Sequence, residues 1–197
     1  MRLARGHAAT TRLGCVIGLL LGACSAQATP SPSSAAAQPS PSPSTFTSPL
    51  YGYALGVEGW RPEPATQTWS GEEADFGSDE PTSDRFHAPD GETIWVVRAP
   101  SSQSVDQLID DRTEADADDH DCDPVPDSDE LITIGGEPAR LTVKNCPVES
   151  PTIIGTAAVI HAGTGYLFYF RHSELLTPNP NAVDKFTDFL AGISFPS

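Results

Sequence analysis

The sequence predicts an α+β fold: a mainly antiparallel sheet of about seven strands, packed by one mid-chain helix and one C-terminal helix. Three observations carry this expectation. Alternating apolar and polar stretches flank glycine-rich turns, as in hairpins. A capping box opens one apolar stripe of helical spacing, and a second such stripe lies near the chain's end. Hairpin-linked strands with few helices between them form antiparallel sheets with helices packed against them.

The elements follow in order. In YGYALGV, residues 51–57, Tyr53, Leu55 and Val57 fall on one face of a half-buried strand that Gly59-Trp60 ends. A weaker strand is expected at 66–70 around Trp69, and residues 71–84 read as an acidic, turn-rich stretch. TIWVVR, residues 93–98, is a strand entered through the Pro89-Asp90-Gly91 turn. Ser104 and Gln107 form an S-x-x-Q capping box ahead of Val105, Leu108 and Ile109, giving a helix expected to fade near Glu114. Residues 131–134 and 139–144 flank Gly135-Gly136 as one hairpin; residues 152–161 and 166–171 flank a turn at 162–165 as another. In that register His161 faces Tyr166 and His172 lies near Gly155. Tyr166, Phe168 and Phe170 share one face of their strand and Leu167 and Tyr169 the other, so the strand should be central and covered on both sides. A last helix starts with Pro180 at N1 behind Asn179, carries Val183, Phe186, Phe189 and Leu190, and stops at Gly192.

The beginning of the chain reads as an address. Arg2, Arg5 and Arg12 precede LGCVIGLLL, an apolar run too short for a comfortable permanent span, so residues 1–23 are expected to be a secretion signal. The run ends in Leu21-Gly22-Ala23-Cys24, which resembles a bacterial lipobox. That resemblance implies cleavage before Cys24, diacylglycerol on its thiol and an acylated N-terminus; the plainer alternative is an ordinary cut near Ala23-Cys24-Ser25. Two or three acyl chains anchor stably where one does not. The partner so implied is a membrane, reached through lipid on its extracytoplasmic face. Residues 24–49 then form a lipidated cysteine and a linker rich in Ser, Pro and Ala, without charge and with one aromatic, Phe46. Fully extended, such a linker reaches on the order of 75 Å. Residues 50–197 make a single domain.

Composition narrows the rest. Three of the 11 basic residues precede Cys24 and all 27 acids follow it, so cleavage leaves eight cations against 27 acids, a formal charge of −19. Such a surface is repelled by phosphate backbones, which argues against nucleic acid as a partner. With Cys15 in the signal and Cys24 at the anchor, Cys122 and Cys146 remain, and in an exported domain an even pair is most simply a disulfide.

Residues 119–130, DHDCDPVPDSDE, scan like a calcium loop, with Asp119, Asp121, Asp123, Asp127 and Glu130 at positions 1, 3, 5, 9 and 12. Position six is Pro124, where the sharp turn of such a loop uses glycine. Eleven acids crowd residues 110–130, so acidic spacing alone means little, and a solvated acidic loop is the better reading. No G-x-S-x-G, phosphate-binding glycine loop or H-E-x-x-H is present. His87, His120, His161 and His172 are scattered. The expectation is therefore no catalytic residue, no metal and no cofactor.

The strand Y-G-Y-x-L followed by G-W, the mid-chain helix, the Gly-Gly hairpin and the terminal F-L-A-G-I-S-F together resemble small actinobacterial exported lipoproteins with a PsbP/Mog1-like domain. The chain has Val57-Glu58-Gly59-Trp60 where that pattern carries a proline before Gly-Trp. The resemblance spans roughly residues 51–195 and implies a sheet between helices, an α/β/α sandwich. It brings no shared catalytic residues, because the fold hosts binding and accessory roles. The resulting expectation is a monomeric, lipid-anchored, non-catalytic binding or accessory module. The alternatives are an envelope enzyme with a scattered site, or a calcium-responsive surface protein acting through residues 119–130.

Overall fold

The computed structural model describes residues 44–69, 81–99, 103–120, 122–146, 152–173 and 180–196. The signal, Cys24 and most of the linker lie outside them. Seven strands form the main sheet: β3 (Arg61–Glu63), β4 (Asp84–His87), β5 (Thr93–Ala99), β6 (Ser128–Ile134), β7 (Glu137–Cys146), β8 (Thr152–His161) and β9 (Thr164–Ser173). Their order is β3-β4-β5-β9-β8-β7-β6, and every neighbouring pair is antiparallel. β1 (Thr45–Thr47), β2 (Ala54–Gly56) and β10 (Ile193–Ser194) make a small second sheet. The helices are α1 (Val105–His120) and α2 (Ala182–Ala191). The α+β class and the mainly antiparallel sheet are as the sequence predicts.

β9 sits between β5 and β8, and both of its faces are buried. Tyr166, Phe168 and Phe170 join one core with Phe186, Phe189 and Leu190 of α2 and with Tyr53 and Leu55. Leu167 and Tyr169 join a second core with Leu108 and Ile109 of α1 and the Cys122–Cys146 disulfide. A helix thus covers each face of the sheet. Close approach on the α2 side needs Gly155: a Cβ there would come within 2.7 Å of the Phe186 ring, which stacks on Phe170 at 5.3 Å.

Several sequence expectations require correction. The fold begins before residue 50, because residues 44–49, grouped with the linker on composition, contain β1. Its Phe46 packs edge-on against Phe86 at 5.2 Å, and its backbone pairs with β2 at all three residues. The strand expected at 66–70 is absent from 66–69, and Ser70 lies outside the described residues. The amides of Thr66 and Gln67 both donate to the Pro81 carbonyl, so the backbone there serves a loop contact and not a ladder. β3 and β4 occupy that edge of the sheet.

The last hairpin turns more tightly than residues 162–165 suggest. Ala162 (φ 48°) and Gly163 (φ 77°) are its two central residues, both left-handed as a type I′ turn requires. His161 therefore faces Thr164 and not Tyr166, and His172 faces Ile153 and not Gly155. α1 runs on to His120 and does not fade near Glu114. α2 begins at Ala182 with Asn181 as its N-cap residue, so Pro180 precedes the helix and is not its N1 residue; Asn179 lies outside the described residues. Gly192 ends α2 with φ −79°, an ordinary right-handed value. What it supplies is space: a Cβ there would sit 3.0 Å from Leu55 Cδ1.

Candidate functional site

Where the β2–β3 connection, the β4–β5 turn and the outer side of α2 meet, a cleft of about 540 Å³ opens. Leu55, Ala88, Pro89 and Phe189 give it apolar surface, and Trp60 lines it half-buried, its ring edge-on to Phe189 at 5.3 Å. Glu58, Asp90, Lys185 and Asp188 supply the charge. Lys185 and Phe189 are four apart on α2, so helical spacing presents them side by side.

The cleft's cation belongs to an ion network. Lys185 Nζ donates to Asp90 and, at 2.8 Å, to Glu92 Oε2. Glu92 is buried, and its other oxygen lies 3.3 Å from Nδ1 of buried His172. Burial works against the charge on Lys185, but the two carboxylates outweigh it and raise its pKa, so it stays an ammonium at neutral pH. The hydrogen bond from Lys185 holds Asp90 below the usual carboxylate range. Lys185 and Asp90 therefore stay charged and paired. An apolar floor with a few fixed charges is an arrangement suited to holding a ligand.

On the sheet's other face, charges are buried beneath α1. Arg112 Nε donates to Asp116 Oδ1 at 2.9 Å, and the guanidinium lies 4.8 Å from the centre of the Tyr169 ring. The Tyr169 hydroxyl donates to the same Asp116 oxygen at 3.2 Å. Lys144 Nζ donates to the Thr113 carbonyl at 2.8 Å, and burial lowers its pKa.

The residues singled out by sequence scatter in the fold. Cys122 and Cys146 are joined in a disulfide with Cα atoms 4.9 Å apart. In the acidic window, Asp123 Oδ1 accepts from the Val125 amide and Asp127 Oδ2 from the Asn145 amide, while Glu130 lies exposed on β6. Asp121 lies outside the described residues. Among those described, no group of three or more His, Cys, Asp or Glu is placed to hold a metal ion. His161 pairs with Glu137 at 3.2 Å and stacks on Phe195, His87 contacts Thr93 and Glu63, and His172 sits at the opposite end of the β8–β9 hairpin from His161. Sequence reasoning missed the Trp60 cleft. Its lining comes from separate segments, and Trp60 beside Gly59 or Lys185 four residues before Phe189 does not by itself mark a cleft.

The molecule is thus an α+β module with an aromatic-lined surface cleft among its described residues. Its chain course is similar to that of the cyanobacterial PsbP (CyanoP) from Synechocystis sp. PCC 6803, at 13% identity and TM-score 0.49, covering 78% of this chain and 92% of that one. It is also similar to the Ran-binding protein Mog1p of Saccharomyces cerevisiae, at 11% identity and TM-score 0.43, covering 76% and 93%. A protein from Bacteroides thetaiotaomicron VPI-5482 matches at 12% identity and TM-score 0.44, covering 78% of this chain and 48% of that one. No protein-family model matches the sequence, and no curated protein matches it. At these identities the likeness concerns chain course alone and brings no ligand, partner or activity with it.

Proposed function

We propose that the chain is a lipid-anchored extracytoplasmic binding module, an accessory protein and not a catalyst. The observation that carries this reading is Leu21-Gly22-Ala23-Cys24 at the end of a basic-then-apolar leader. Lipid on Cys24 holds the protein at the outer face of the cell membrane, and the uncharged Ser/Pro-rich residues that follow set the domain away from it. The Cys122–Cys146 disulfide suits an oxidising compartment. The module works as a monomer, and its acidic surface turns away nucleic acid.

The Trp60 cleft is the binding site in this reading. Its ammonium is held by two carboxylates, which favours contact with a ligand over proton transfer. Metabolic labelling with a lipid precursor tests the anchor. Wild-type protein should carry label and sediment with membranes, and Cys24→Ser should leave an uncleaved or mis-cleaved precursor without label. Label retained on Cys24→Ser would overturn the proposal.

A further inference from the structure

The two edges of the main sheet are built differently. β3 is three residues long with Pro62 at its centre, which offers no N–H to an incoming strand. β6 is seven residues long, has neither proline nor glycine, and no described strand pairs with its outer side. Exposed edges of this kind invite further pairing unless they are blunted.

The side chains of β6 define what fits there. Glu130 and Ile132 stand opposite Leu141 and Ala139, which belong to the α2-side core, so these two residues share that face. Leu131 is on the α1 face opposite Arg140, and it is 90% exposed. Arg140 is held by Asp106, Asp110 and Asp129, which leaves Glu130 as an acid with no ion pair among the described residues. A second copy fits this edge poorly. Antiparallel self-pairing about the strand's midpoint would set Leu131 against Leu131, but it would join two edges that each carry exposed Asp129 and Glu130 in a chain of formal charge −16. The chain's own residues 25–43 fit poorly too, because prolines recur through them.

We infer that β6 accepts an extended basic segment of a partner protein as an eighth strand. Backbone hydrogen bonds hold the segment, an apolar side chain rests beside Leu131, and Lys or Arg on the opposite face pairs with Glu130. This interaction uses neither Trp60 nor Lys185, so it stands apart from the cleft.

A capped eight-residue peptide alternating lysine and valine probes the edge, read by fluorescence anisotropy and by amide hydrogen exchange on the intact domain. Saturable binding is expected, with new protection at alternate β6 amides. Leu131→Lys, which alters a side chain outside the core, should weaken binding about tenfold, and Trp60→Ala should leave it unchanged. Absence of saturable binding, or binding without β6 protection, would overturn the inference. So would loss of binding in Trp60→Ala, which would place the peptide in the cleft. Dimers in sedimentation without peptide, abolished by Leu131→Lys, would assign the edge to a second copy instead.

Discussion

The two faces of the main sheet are held by different physics. On the α2 side, Phe86, Phe168, Phe170, Phe186 and Phe189 lie against one another, and stability comes from apolar area and close fit. On the α1 side the helix reads VDQLIDDRTEADADDH, with only Leu108 and Ile109 among its large apolar residues fully buried. The Arg112–Asp116 pair, the Tyr169 ring and hydroxyl, the Lys144 contact and a disulfide supplement that small apolar contribution. A closely fitted apolar face loses stability in proportion to the volume removed. A buried ionic face fails sharply when one partner goes, because the other charge is left without water.

The largest effect is expected from Phe186→Ala, which should lower unfolding free energy in urea by about 3–5 kcal/mol. The stacking on Phe170 and the fit over Gly155 vanish together. A loss below about 1 kcal/mol would mean that the α2 face is loosely packed.

Asp116→Ala should cost about 3 kcal/mol by removing a buried carboxylate that accepts from both Arg112 and the Tyr169 hydroxyl. Replacing both, as Arg112→Met with Asp116→Leu, should recover most of that loss. If the double variant is as unstable as the single one, Arg112 and Asp116 support α1 through polar contacts that apolar packing does not replace. Amide exchange at residues 113–117 reports whether the helix frays.

The smallest effect is a pair of opposite alkaline slopes. Burial, then the nearby Asp84 charge, raises the Tyr53 pKa, and burial pushes the Tyr51 phenol up to about 12. The unfolded chain releases these protons above about pH 10 while the folded one keeps them, so their contribution is whole below that pH and is lost above it. Lys144 runs the other way. Its folded pKa lies below that of the unfolded chain, so the unfolded state binds more protons and stability rises with pH until about 10.4. In denaturant melts across the alkaline range, Tyr53→Phe should make the decline shallower, and Lys144→Met should make it begin earlier.

The same contrast explains what the sequence disclosed. The α2 stripe and the two-sided apolar pattern of β9 were legible because burial leaves a periodic mark, and Ser104 with Gln107 gave the α1 start. Both capping bonds form, at 2.9 and 3.2 Å. The far half of α1 was not legible, since its support comes from Tyr169 and Lys144, distant in sequence. β4 hid for a similar reason: Asp84 looks like part of an acidic turn, yet it is fully buried, accepting from the Tyr53 hydroxyl at 2.8 Å and the Ala65 amide at 2.7 Å. The Trp60 cleft is assembled from three separate segments, and no local pattern records such a meeting. The disulfide was legible by elimination, because Cys15 falls to an expected secretion signal and Cys24 to a lipobox-like stretch, which leaves Cys122 and Cys146.

The small sheet has a mechanical consequence. β2 holds β1 on one side and β10 on the other, so it ties together the two ends of the described fold. Tension arriving through the chain before Ser44 meets β1 first, and β1 is held by three residue pairs where β8 and β9 share ten. Under load β1 should peel while the main sheet stays whole, releasing about 10 Å of chain and uncovering the Phe86 edge that Phe46 shields. β1 is thus the element that load on this end of the described fold would release first.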